Sequence, residues 1–145
     1  MLLNFVRLCL SLFQISNVDL LMTTLRSSAT AFPEKGIILL EFHRESCTLD
    51  VQEVAEGWEK ALQLSPERKQ NVLVVTGRWS LLDKEARSFV TTEFKKWPHV
   101  AVVIDNTGQR IMGTVVLNLI GKSGHIKLFE NRDKAQEWLE SKNIS

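Results

Sequence analysis

The residue types that carry most enzymatic chemistry are few and scattered in this 145-residue chain. Its histidines, His43, His99 and His125, each fall at the end of a strand-like run or in a loop, and none has a cysteine or second histidine at metal-ligand spacing. They read as ordinary strand-end histidines. No serine sits in a G-x-S-x-G elbow, so no hydrolase nucleophile can be placed. Cys9 and Cys47 are far apart and suggest neither a disulfide framework nor an oxidising compartment. Carboxylates are plentiful, but they lie on segments of helical periodicity, where solvated faces explain them. No nucleophile, base or ligand set can be assembled, so the expectation is a non-enzyme with no catalytic residue, no metal and no cofactor.

Two segments have the look of anion sites. Gly121-Lys122-Ser123 ends like a phosphate-binding loop, but the glycine needed five residues earlier is Val116. The element order is also inverted, with a helix before and a strand after. These glycines read instead as a helix stop. Gly108 to Gly113, GQRIMG, opens a helix directly after an apolar strand, where free backbone N–H groups gather and can cradle an anion. Arg110 falls in the first turn, where a positive charge is unfavourable without an anionic partner. A plain turn with a solvent-facing arginine is the alternative, since short glycine motifs are unspecific. Arg78 and Trp79 follow another apolar strand. Ligands of open α/β sheets favour the crevice beyond the carboxyl ends of the strands. Arg78, Trp79, Asn106, Thr107, Gly108 and Arg110 are therefore the candidate ligand- or partner-binding residues. Trp79 is either an aromatic anchor at that surface or partly packed against the following helix. Trp58, Trp97 and Trp138 read as packing residues.

The elements that must position these residues are legible in the apolar pattern. Residues 23–31 suit an edge strand, Pro33 to Gly36 a turn, and 37–42, IILLEF, a strand. Thr48 or Asp50 caps a helix with Val51, Val54, Ala55, Trp58, Ala61 and Leu62 on one face, and Asp50 with Glu53 has capping-box spacing. Ser65-Pro66 ends it. The runs VLVVT (72–76) and VAVVI (100–104) are apolar without alternation, as in strands buried on both faces. Ser80 or Asp83 starts a helix with Ala86, Phe89, Val90 and Phe94 inward. Thr107 or Gly108 starts another, with Ile111, Met112, Val115, Val116 and Leu119 inward. IKLF (126–129) is a short strand, and Asn131 caps a last helix carrying Ala135, Trp138 and Leu139. The order β-β-α-β-α-β-α-β-α predicts an α/β fold: a mixed, mostly parallel sheet of about five strands flanked by helices, opening with an antiparallel hairpin.

Residues 1–21 differ from the rest. The apolar leader has only Arg7 and Asp19 charged. It lacks a small-x-small cleavage site, and its polar interruptions leave no run of the roughly 20 residues that span a bilayer. Three readings stay open: translated sequence upstream of a true start at Met22, a docked or partner-binding helix, or a targeting segment. The domain proper is assigned to 22–145. Its net charge of +1, with no Lys/Arg stripe, gives no case for nucleic acid. Contact with a membrane is expected only if the leader is kept as an anchor.

From about Gly36 to Leu139 the chain resembles the SpoIIAA-like, or STAS-like, bacterial domains of unknown function. The resemblance is carried by VLVVTGRWSLLDKEARSFV, HVAVVIDNTGQRIMG and IKLFENRDKAQEWL. It implies a mixed sheet with flanking helices and a cytoplasmic, often dimeric protein. Related folds include anti-sigma-factor antagonists and CRAL-TRIO lipid-binding domains. Antagonists carry a phosphorylated serine in an Asp-Ser-Ser-Gly motif. Asp83-Lys84-Glu85-Ala86 occupies that place here, so no phosphorylation switch is expected. Ser80 nearby is expected to be an N-cap. The function implied is a non-catalytic interaction or regulatory module, a homodimer or the partner of an unidentified protein. The alternative is a binder of a small apolar or anionic ligand in the carboxyl-end crevice.

Overall fold

The computed structural model describes residues 26–120 and 124–143; the apolar leader with Cys9, and the stretch 121–123, lie outside them. β1 (Ser27–Phe32) and β2 (Ile37–Phe42) form the expected antiparallel hairpin, joined by a 3-10 turn at Pro33–Lys35. There follow β3 (Thr48–Leu49), α1 (Val51–Leu64), β4 (Asn71–Val75), β5 (Leu81–Leu82), α2 (Lys84–Phe94), β6 (Val100–Val103), α3 (Thr107–Ile120), β7 (Ile126–Phe129) and α4 (Arg132–Ser141). The main sheet is five-stranded in the order β1-β2-β4-β6-β7, and every pairing after the hairpin is parallel. This is the mixed, mostly parallel α/β architecture expected. The small parallel ladder between β3 and β5 was not expected.

Successive residues of a strand point to opposite faces of a sheet. Ile38, Leu40, Val72, Val74, Val100 and Val102 pack under Val54 and Trp58 of α1, Val90 and Phe94 of α2, and Val116 of α3. Their neighbours Ile37, Leu39, Leu73 and Ala101 meet Ala135 and Leu139 of α4 on the other side. A strand covered on both sides must be apolar throughout, which is why these runs show no alternation. Trp58 joins α1 to α2, with ring centroids 5.5 Å from Phe94 and 5.8 Å from Trp97. Such aromatic pairs contribute about 0.5–1.5 kcal/mol each beyond area burial.

The caps follow the expected chemistry with two corrections. Asp50 accepts from the Glu53 N–H at 2.9 Å, but Glu53 does not close the box. Its carboxylate is buried and bonds Arg44 instead, raising the pKa of that guanidinium. Helix α2 starts from Asp83, which accepts from the Ala86 N–H at 2.8 Å. Ser80 is not a cap, because β5 intervenes; its buried hydroxyl donates to Gly77 O at 2.7 Å. Asn131 caps α4 through the N–H groups of Asp133 and Lys134.

Helix α3 is rotated from the expected face. Gln109 and Val116 are buried, Met112 lines the core beside them, and Leu117 and Ile120 pack against it. Ile111 and Val115 point outward, 62% and 44% exposed. The helix is apolar nearly all round, so spacing alone selects no face. The amide of Gln109 selects it, because its hydrogen-bond partners lie inside.

Candidate functional site

Strands β2, β4, β6 and β7 run parallel, so the loops that follow them share the carboxyl end of the sheet. Fully buried Gln109 ties two of these loops together. Its Nε2 donates to Gly77 O at 2.8 Å and Ser80 O at 2.9 Å, and its Oε1 accepts from the Asp105 N–H at 2.8 Å. Its own N–H donates to Asn106 Oδ1 at 2.9 Å, which makes Asn106 the cap of α3. A third loop is drawn in at Gly77. A Cβ there would stand 2.0 Å from Arg44 O, so only glycine permits this approach. The Ser46 N–H then donates to Arg78 O at 2.8 Å.

Within this frame Trp79 takes φ +59°, a left-handed value costly for a residue with a Cβ. Its side chain is 62% exposed and makes no ring contact among the described residues. The bonds of Gly77 and Ser80 to Gln109 hold the backbone that presents it. At that exposure most of the Trp79 surface is left in solvent.

The other expected residues are gathered at the same end, with their charges already matched. Arg78 Nε lies 3.8 Å from Asp105 Oδ2. Arg110 has its anionic partner within the chain, Glu130 in the loop after β7. Thr107 begins α3 and is exposed. Exposed Gly108 sits against Leu81, whose Cδ2 would lie 3.7 Å from an added Cβ. Leu81, Leu82, Gly108, Ile111 and Val115 border a surface groove of about 300 Å³, with Arg87 also on its wall.

Gln109, Leu81, Ile111 and Val115 were missed as site residues. The Asn106-x-x-Gln109 spacing is that of a capping box and could have found the first. The Leu81-Leu82 pair, lying between Ser80 and Asp83, was the signal for a short strand.

His99 and His125 precede β6 and β7 at the opposite end of the sheet, and His43, in the loop after β2, turns to the edge strand β1. His99 Nδ1 lies 3.2 Å from Asn71 Oδ1 at the amino end of the sheet, and His125 Nε2 is 3.3 Å from Phe94 O. His43 Nε2 is 2.9 Å from Ser28 Oγ. Burial, with help from Lys142 and His125, holds the His99 pKa below the usual histidine value. Among the described residues no group of three His, Cys, Asp or Glu side chains is placed to hold a metal ion, and no helix is long and apolar enough to cross a membrane.

The chain is similar in structure to an uncharacterised protein of the DUF3478 family with a SpoIIAA-like fold, from Shewanella loihica PV-4. The TM-score is 0.54 at 15% sequence identity, over 78% of this chain and 91% of that one. That likeness shows the fold, and it is the one the sequence resemblance implied. No curated protein matches the chain. The model of a domain of unknown function, DUF7793, matches residues 32–143, from the end of β1 through α4, and the chain belongs to that family.

Proposed function

We propose that this domain is a non-catalytic protein-interaction module of the cytoplasm that pairs with a second copy of itself through the carboxyl end of the sheet. The observation that carries this reading is a row of large apolar side chains left in water on a locked backbone. Trp79 and Ile111 are each 62% exposed, Val115 is 44% exposed and Leu81 39%. Interface cores are enriched in such side chains, tryptophan above all. A two-fold contact brings each residue near its own copy, so uncompensated charge at its centre repels. Here Arg78 and Arg110 are matched by Asp105 and Glu130. Ile111 and Val115 form a ridge beside the groove, giving one surface both halves of a self-complementary fit.

Sedimentation velocity on the full chain tests this. A dimer is expected, and Ile111→Glu is expected to leave a monomer of unchanged helicity whose melting temperature no longer rises with concentration. A wild-type chain still monomeric at about 100 µM, above the affinity of weak specific interfaces, counts against the reading. The groove beside Gly108 favours a second reading, in which the same crevice takes a small apolar ligand.

A further inference from the structure

Behind the groove the core contains a cavity of about 60 Å³, lined by Trp58, Val74, Phe94, Val102 and Leu128 among others. Leu81, Leu82 and Met112 border both spaces, so they form the wall between them. The wall is held by a soft contact, the Leu82 N–H donating to Met112 Sδ at 3.0 Å. Methionine is unbranched, with several rotatable bonds and a weakly accepting sulfur, so swinging it aside takes little free energy.

We propose that groove and cavity form one binding site for a small carboxylic acid with an apolar body, admitted when Met112 turns. The proposal rests on the second reading above and adds the ligand class and the gate. The groove alone, about 300 Å³, reaches the lower limit of the ~300–1,000 Å³ typical of small-molecule sites, and joining the cavity extends it inward. The inner end calls for hydrocarbon. Its few polar neighbours are already engaged: Thr76 donates to Val103 O, Ser80 to Gly77 O, and both ends of the Gln109 amide are bonded.

The mouth calls for an anion. Arg87 is half-buried on the groove wall, where its Nη1 donates to Leu82 O at 2.9 Å. Arg44, Arg68, Arg78 and Arg110 each have a carboxylate partner, whereas no carboxylate lies within ion-pair distance of Arg87 among the described residues. A guanidinium carries five N–H donors in a planar fork, so Arg87 retains donors for a bidentate carboxylate. The ligand's head is thus read by Arg87, not by the two arginines the sequence singled out.

Calorimetric titration of the full chain with decanoate, and separately with 1-decanol, tests the proposal. Saturable binding of decanoate at one per chain is expected, with the alcohol about tenfold weaker because it lacks the charge-assisted bonds. Arg87→Gln is expected to bring decanoate down to the level of the alcohol and to leave the alcohol unchanged. Val115→Trp, at a half-exposed position that leaves the core intact, is expected to fill the groove and abolish both. The Met112 methyl resonance is expected to shift on saturation. Decanoate binding that neither substitution alters, or a Met112 signal that does not move, overturns the proposal. Equal binding of acid and alcohol overturns the ligand class and leaves the crevice reading standing. No binding of either at about 1 mM, a thousandfold above a micromolar site, removes the crevice reading as well.

Discussion

The two ends of the sheet are closed by the same device and finished differently. At the amino end, buried Asn71 donates to Asn143 Oδ1 at 2.9 Å and Leu139 O at 3.4 Å, while its Oδ1 meets His99 Nδ1. Asn143 goes on to Lys35 O. The tryptophans there are packed: half-buried Trp138 lies on His99 and Phe129, and the indole N–H of buried Trp97 donates to buried Glu93. At the carboxyl end Gln109 plays the part of Asn71, one buried amide tying several loops. Yet that tie leaves Trp79, Leu81, Ile111 and Val115 in solvent. At the amino end Phe32, paired with Ile37, is 40% exposed, but among the described residues no large apolar side chain there reaches the 62% of Trp79 and Ile111. That difference in exposure is what the proposed carboxyl-end interface rests on.

The largest expected effects test whether the two amides are equivalent ties. Gln109→Leu strands Ser80 O and the Asp105 N–H without their Gln109 partner and leaves Gly77 O only its bonds from Ser80. At about 1–3 kcal/mol for each buried unpaired group, reduced by relaxation, the loss should be roughly 3 kcal/mol in urea unfolding. The Trp79 loop should also become mobile, seen as lower tryptophan anisotropy. Asn71→Leu should cost roughly 2 kcal/mol and leave Trp79 and self-association untouched. If both variants disturb the carboxyl end alike, the comparison collapses.

A smaller effect sharpens it. At φ +59° the usual order of side chains reverses, so Trp79→Gly should be more stable than Trp79→Ala by about 1 kcal/mol. Both should weaken self-association, which separates the conformational role of position 79 from its contact role. The smallest effect belongs to the amino end. His99 is held neutral by burial, so its folded pKa lies below its unfolded value of about 6.5. The unfolded chain then binds more protons between the two values. The stability linked to His99 is full above that unfolded value and is lost as pH falls through the folded one. Wild type should lose more stability on acidification below that point than His99→Gln does, with no change at the Trp79 face.

Much of this architecture was legible because local rules and tertiary demands agreed. IKLF and the caps Asp83 and Asn131 needed nothing from distant chain. The misreadings came where a long-range partner decided. Ser80 has the chemistry of a cap, but Gly77 O and Gln109 are its neighbours in space, and the Leu81-Leu82 pair needed β3 to become a strand. The face of α3 could not be phased from Ile111, Val115 and Val116, since an all-round apolar helix satisfies several phases. Of the six residues singled out for binding, the structure gathers all at one end and matches both arginines with carboxylates. The apolar part of that face stayed hidden because exposed leucine and isoleucine look like core in a sequence.

The two-residue ladder between β3 and β5 has a consequence for hydrogen exchange. The amides of Ser46, Leu81 and Asp83 donate across it to Arg78 O, Cys47 O and Leu49 O. None of these bonds is backed by the deep sheet, and all three join the same two loops. They should therefore exchange at one common rate, through a single sub-global opening that leaves β2, β4 and β6 protected. The carboxyl end would be a cooperative unit of its own, rigid between openings and released all at once.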